Sequence, residues 1–233
     1  MRHLKSFNPQ KNTGFTLIEL LIGLTLGLMV IASTLTLYVI TTRSSSDLLH
    51  STRLNHDLET IMQIMTHDIR RAGYQGDPPS VIIDDSGSYL DACILYSYYD
   101  DHDDDPNDHE TKYYGFKRKE NSIALRQSDT YFACDSNFWE KITEENVTQI
   151  TELTFSDAES QCFNATNPNQ PTSKGACTTV NSAASSGNSI TKISHITISL
   201  SGALAQDPTV KKTLEASVTV ANHCTYSKGK PPC

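Results

Sequence analysis

Between Phe15 and Ile40 the chain runs for 26 residues with no Lys, Arg, Asp or Pro, and Glu19 is the one acid in it. As a helix this run would reach about 39 Å at about 1.5 Å per residue, more than the roughly 30 Å hydrocarbon core of a bilayer. It is long enough to span. A secretory signal holds only about 7 to 15 apolar residues before a small-residue cleavage site, and this run continues well past that length. The residues before it carry Arg2, Lys5 and Lys11 and no acid. Positive-inside bias therefore leaves the N-terminus in the cytoplasm and sends the remainder across the membrane.

What lies beyond the run agrees with that orientation. Residues 15–233 hold 16 Lys+Arg against 27 Asp+Glu, a formal balance of 16 − 27 = −11. So acidic a surface is a poor match for phosphate backbones, and nucleic acid is not a predicted direct partner. Six cysteines, Cys93, Cys134, Cys162, Cys177, Cys224 and Cys233, all follow the run without a C-x-x-C pair. An even set beyond a membrane segment suits disulfides in an oxidising compartment better than a zinc site. The short separations favour Cys162 with Cys177 and Cys224 with Cys233, which leaves Cys93 with Cys134.

No proline occurs from Thr16 to Asp77, and Leu54, Leu58, Ile61, Met65, Ile69 and Ala72 recur at intervals of three and four. That spacing puts them on one face of an amphipathic helix suited to packing on a sheet. Gly73 sits at the C′ position after Arg70 and Arg71, and Pro78 and Pro79 prevent resumption. A single helix from about 16 to 72 would be roughly 85 Å long. Strand signals follow at 81–83, 92–99, 112–118, 122–127 and 147–156. The runs 190–201 and 212–220 alternate with period two, and "GALAQDPTV" between them reads as a hairpin loop. Ile196, Ile198 and Leu200 mark the buried face of the first. The Ser-, Asn- and Thr-rich segment 157–189 reads as an exposed excursion. The expected class is α+β, a long N-terminal helix, transmembrane and then amphipathic, packed on an antiparallel sheet.

"KNTGFTLIELLIGLTLGLMVIASTLTL" resembles the N-terminal class III signal of type IV prepilins: a basic leader, Gly14, then Phe15 to Leu20 with Glu19 five residues into the mature chain. "RLNHDLETIMQIMTHDIRRAGYQG" resembles the PilW group of minor pilins at Asp68, Ile69, Arg70, Ala72, Gly73, Tyr74 and Gly76. The resemblance implies a type IV pilin-like fold. It also implies cleavage between Gly14 and Phe15 by a membrane prepilin peptidase, with N-methylation of Phe15. The resulting organisation is a leader at 1–14, a transmembrane helix at 15–40, an amphipathic continuation and turn at 41–77, and a periplasmic or extracellular β-rich head at 78–233. The implied partners are the peptidase, other minor pilins, the major pilin, a tip adhesin, and inner-membrane lipid before assembly.

Glu19 acquires a purpose in that setting. A carboxylate near the bilayer centre costs about 2.5 to 3.5 kcal/mol on insertion scales, so it calls for a partner. Cleavage creates one, the amine of Phe15, at the positive end of the helix dipole. In the family the proposed pairing runs between subunits, which makes Glu19 the assembly residue. A type II secretion pseudopilin of the J kind shares the signal and fold class, and is the alternative.

Other motifs carry less. The run 98–110, "YYDDHDDDPNDHE", places Asp101, Asp103 and Asp105 like the start of a calcium loop. Pro106 and Lys112 occupy positions where an EF-hand requires Gly and Glu, so a self-repelling solvated loop is the preferred reading over a calcium-dependent adhesin. No cofactor is expected. The chain has no G-x-S-x-G, H-E-x-x-H or phosphate-loop pattern, and no enzymatic function is expected.

Overall fold

A computed structural model gives the fold and describes residues 14–74, 81–84, 92–99, 111–169, 173–175 and 187–226. Helix α1 covers Leu17–Arg70. Among the described residues twelve strands follow: β1 (Ile82–Asp84), β2 (Cys93–Tyr99), β3 (Thr111–Lys119), β4 (Ser122–Ser128), β5 (Glu140–Lys141), β6 (Thr148–Ser156), β7 (Gln161–Asn164), β8 (Ser173–Lys174), β9 (Ile190–Ile193), β10 (His195–Leu204), β11 (Lys211–Thr219) and β12 (Cys224–Tyr226). The chain divides into two compact units, Met1–Leu49 and His50–Cys233.

In the first unit every described residue is exposed. Six of its hydroxyls, those of Thr25, Ser33, Thr34, Thr36, Thr41 and Thr42, are nonetheless satisfied within the helix. Thr25 and Thr34 donate to the carbonyls of Ile22 and Ile31, three residues back, each at 2.9 Å. Ser33 and Thr36 reach four residues back, to Met29 at 2.6 Å and Ala32 at 2.8 Å. Such back-bonding lets Ser and Thr sit in an apolar helix without presenting a bare donor to lipid.

The second unit holds the core. Leu54, Leu58, Ile61, Met65, Ile69 and Ala72 are buried as the spacing predicts, and Met62 joins them. They pack against Ile94, Tyr96, Phe116, Ile123, Ile150 and Leu153 among others. The helix packs on antiparallel strands as expected, and among the described residues these strands divide into three sheets, with strand orders β1-β2-β3-β4-β5, β11-β10-β6 and β12-β9-β7-β8.

The run 190–201 breaks at Ser194, passing from β9 in the third sheet to β10 in the second. Ile196, Ile198 and Leu200 face the core as expected. The hairpin loop is shorter than the sequence suggested. Gly202 to Leu204 remain in β10 because Ala203 and Leu204 are buried and Gly202 pairs with Lys212. The segment 157–189 is likewise no wholly exposed excursion, since β7 inside it pairs with β9 and buries Cys162 and Asn164.

Two glycines permit close approaches. A Cβ on Gly202 would lie 2.9 Å from Leu58 Cδ2, where the helix presses on β10 beside its register shift. A Cβ on Gly115 would lie 2.7 Å from Leu95 and 2.9 Å from Trp139. β2 is buried along its whole length because both its faces are covered. Ile94, Tyr96 and Tyr98 join the helix core, while Cys93 and Leu95 join Phe132 and Trp139 on the other side.

Candidate functional site

The N-terminal site is built by a helix start. Gly14, Phe15 and Thr16 precede the helix and are exposed. Thr16 is the N-cap: its carbonyl accepts from Leu20 N–H at 3.2 Å, and its Oγ1 accepts from Glu19 N–H at 3.4 Å. Thr16-Leu17-Ile18-Glu19 is thus a capping-box spelling, with Glu19 at N3 next to the exposed backbone donors and the positive end of the dipole. The pattern was visible in the sequence, and it gives Glu19 a local stabilising role within its own chain. The Gly14–Phe15 bond, where cleavage is expected, lies outside the helix and so presents backbone free of helical hydrogen bonds.

At the other end, the helix terminates in a tertiary knot. Gly73 takes φ 76°, the left-handed conformation of a C′ glycine, and donates its N–H to Ser97 O at 2.7 Å. Tyr99 N–H returns to Tyr74 O at 2.8 Å. The carbonyls of Arg70 and Ala72, orphaned by the helix end, accept from Ala221 N–H and from Asn222 Nδ2, each at 3.1 Å.

Asp68, one of the positions carrying the PilW resemblance, accepts the hydroxyls of Tyr96 and Tyr98, the latter at 2.9 Å. Arg71 covers the Tyr98 ring at 4.2 Å. Burial first, and the Asp68 charge after it, raises the Tyr96 phenol well above its ordinary value. Burial likewise leads the rise at Tyr98, reinforced by hydrogen bonding with Tyr114 and by Asp68. The Asp-Ile-Arg-Arg-Ala-Gly-Tyr stretch is therefore a docking latch for the strands, which local sequence could not disclose because its partners lie 28 and 30 residues away.

Cys93 and Cys134 form a disulfide with Cα atoms 6.0 Å apart. Cys162 and Cys224 are also disulfide-bonded. They flank Lys192 in register on strands either side of β9, too far apart to join each other, and their partners lie outside the described residues. Cys177 and Cys233 lie there too. So do Asp101, Asp103 and Asp105. Among the described residues no group of three or more His, Cys, Asp or Glu is placed to hold a metal.

An N-terminal helix long and apolar enough to cross a membrane, followed by antiparallel sheets packed on its later turns, defines a pilin-like protein. Residues 9–35 match the prokaryotic N-terminal methylation motif, which adds the class III signal to that description. Residues 47–220, well over half of the chain, match prepilin peptidase-dependent protein B, and the chain belongs to that family. A type IV-like pilin from Thermus thermophilus is similar in structure at 6% identity and a TM-score of 0.44, over 72% of this chain and 96% of that one. No curated protein sequence matches the chain.

Proposed function

We propose that the chain is a minor pilin of a type IV pilus. Residues 15–40 hold it in a bacterial inner membrane with the head in the periplasm. Prepilin peptidase cuts after Gly14 and the new amine of Phe15 is methylated. The subunit then joins other minor pilins and the major pilin in a tip or initiation complex, with a tip adhesin as a further partner. Its consequence is pilus biogenesis and, through it, twitching, adhesion or DNA uptake.

The observation that carries this reading is the methylation motif at 9–35 on the same chain as a head of the peptidase-dependent family. Glu19 supports it. The capping box accounts for a helix-start acid but not for placing one at the edge of a membrane run, whereas pairing with a neighbour's Phe15 amine offsets the insertion cost.

The decisive experiment is the intact mass of the membrane-extracted chain. Loss of 14 residues and gain of one methyl group is expected, and a mature N-terminus other than Phe15 rejects the proposal. Glu19→Ala should be processed and membrane-held yet absent from sheared pili. Recovery of the wild-type chain with a secretion apparatus instead of surface pili would transfer the reading to a J-like pseudopilin.

A further inference from the structure

β11 is a long sheet edge whose outer side no other described strand covers. It pairs with β10 in unbroken register, from Lys211 opposite Ala203 to Thr219 opposite His195, and it contains no proline. Natural sheets blunt such edges with short strands, bulges or proline, because an open ladder recruits further chain. The other edges of the head are blunted. β1, β5, β8 and β12 are two or three residues long, and β6 meets the β3–β4 turn, where Ile150 N–H donates to Asn121 O at 2.8 Å.

The direction of the free groups follows from the ladder. Leu204 N–H donates to Val210 O at 3.2 Å and Val220 N–H donates to Ser194 O at 2.9 Å, so the even-numbered residues of this hairpin form its hydrogen-bonded pairs. In antiparallel pairing the intervening residues turn their N–H and C=O the other way. Lys211, Thr213, Glu215, Ser217 and Thr219 therefore point backbone donors and acceptors away from β10, and no described group bonds them. Their side chains are exposed and polar, whereas Leu214 and Ala216, on the opposite face, are only partly buried against the core. At the start of the strand a groove of about 330 Å³ lies between Thr52 and Asn55 of the helix and Val210 to Lys212.

The chemistry of the edge selects its occupant. Outward groups at every second residue are satisfied together only by another extended backbone, which is how a peptide strand adds to a sheet. A second copy of this chain is a poor fit. Two-fold pairing of β11 with itself over its full nine residues sets Glu215 directly opposite Glu215, and like charges so placed destabilise the pair. Lys211, Lys212 and Glu215 have no ion pair among the described residues, so a strand of complementary sequence finds their charges unspent.

We infer that β11 accepts an extended strand from a different chain, added along Lys211–Thr219 and antiparallel to it, as in every strand pair described in the head. The incoming strand carries apolar residues opposite Leu214, Ala216 and Val218, a base opposite Glu215 and an acid opposite Lys211. Donor and acceptor are unlike chains, so the contact needs one copy only, in keeping with a minor subunit. It goes beyond the reading above and involves only the unit His50–Cys233, whichever machine uses the chain.

The probe is the peptide TVTVKVTVE, which in this register sets its Lys opposite Glu215 and its Glu opposite Lys211. Methylating its even-numbered amides, which face away from β11, keeps it from stacking on itself; a control is methylated at the odd-numbered amides that face β11. In the full chain in detergent micelles, residue-resolved amide hydrogen exchange should be fast at Thr213, Glu215 and Ser217 and slow at Leu214, Ala216 and Val218. Millimolar probe should slow the first three by about tenfold or more, and the control should not. Ser217→Pro removes one outward N–H at an edge position that tolerates proline, so it should melt close to the wild type and abolish the probe's effect. Glu215→Lys should transfer the preference to a probe with Glu at its centre. Slow exchange at Thr213, Glu215 and Ser217 in the free chain would mean that the chain covers its own edge, and a wild-type dimer dissolved by Ser217→Pro would mean that a second copy does. Either result overturns the inference, as does a probe that leaves exchange unchanged or acts no better than its control.

Discussion

The stretches of α1 before and after His50 are one element under two different regimes. Before it, large apolar side chains such as Leu24, Leu28 and Ile31 are all more than half exposed. After it, Leu54, Leu58, Met65 and Ile69 are at most 1% exposed, covered by strands of the same chain. The apolar surface of the second stretch stabilises the head directly, at about 25 cal/mol per Å² removed from water. That of the first is covered by no described residue of the chain, and a bilayer or neighbouring helices would cover it. An apolar residue therefore contributes to folding or to placement according to which half of the helix it occupies.

The comparison is best challenged by removing what closes the head. Replacing Cys93 and Cys134 together by Ser opens a loop of 41 residues, and unfolding in urea, followed by Trp139 fluorescence, should show a loss of about 4 kcal/mol on the chain-entropy model. Leu58→Ala should cost about 3 kcal/mol, whereas Leu24→Ala should leave head stability within about 0.5 kcal/mol. Equal effects of these two substitutions would erase the distinction between the stretches. Gly115→Ala pushes a methyl group against Leu95, Trp139 and the Ile94 carbonyl, and should cost about 1 to 3 kcal/mol while shifting the Trp139 emission.

The smallest effect is a pH dependence. Tyr96 and Tyr98 keep their protons in the folded head far above the ordinary phenol value of 10.0. The unfolded chain binds fewer protons once pH exceeds that value, so stability is flat below it and falls as pH rises beyond it. Urea midpoints between pH 8 and 11 should show this decline, and Tyr96→Phe should make it shallower, with Tyr98 accounting for what is left. A fall beginning well below pH 10 in the wild type would reject the latch as its cause.

Legibility in the sequence followed the range of the interactions. The stripe from Leu54 to Ala72 and the alternation from Ile196 to Leu200 were readable because each follows the local period of its own backbone. The Thr16–Glu19 box was equally local and readable in principle. The cover over the outer face of β2 was not, although Phe132, Trp139 and Cys134 occur close together. Their burial depends on Gly115, in β3 on the neighbouring strand, letting the indole approach.

By itself the sequence determined a membrane-length apolar helix with its charges on one side, a class III signal within residues 9–35, an amphipathic continuation and a run of strands. These follow from composition and period, which belong to short windows of chain. Only the tertiary structure decided that the described strands divide among separate sheets, that Asp68 engages Tyr96 and Tyr98, and that Ala221 and Asn222 cap the helix end. Those contacts join residues up to 150 positions apart, and such pairings are selected by packing and by the need to satisfy buried polar groups, which no short window contains.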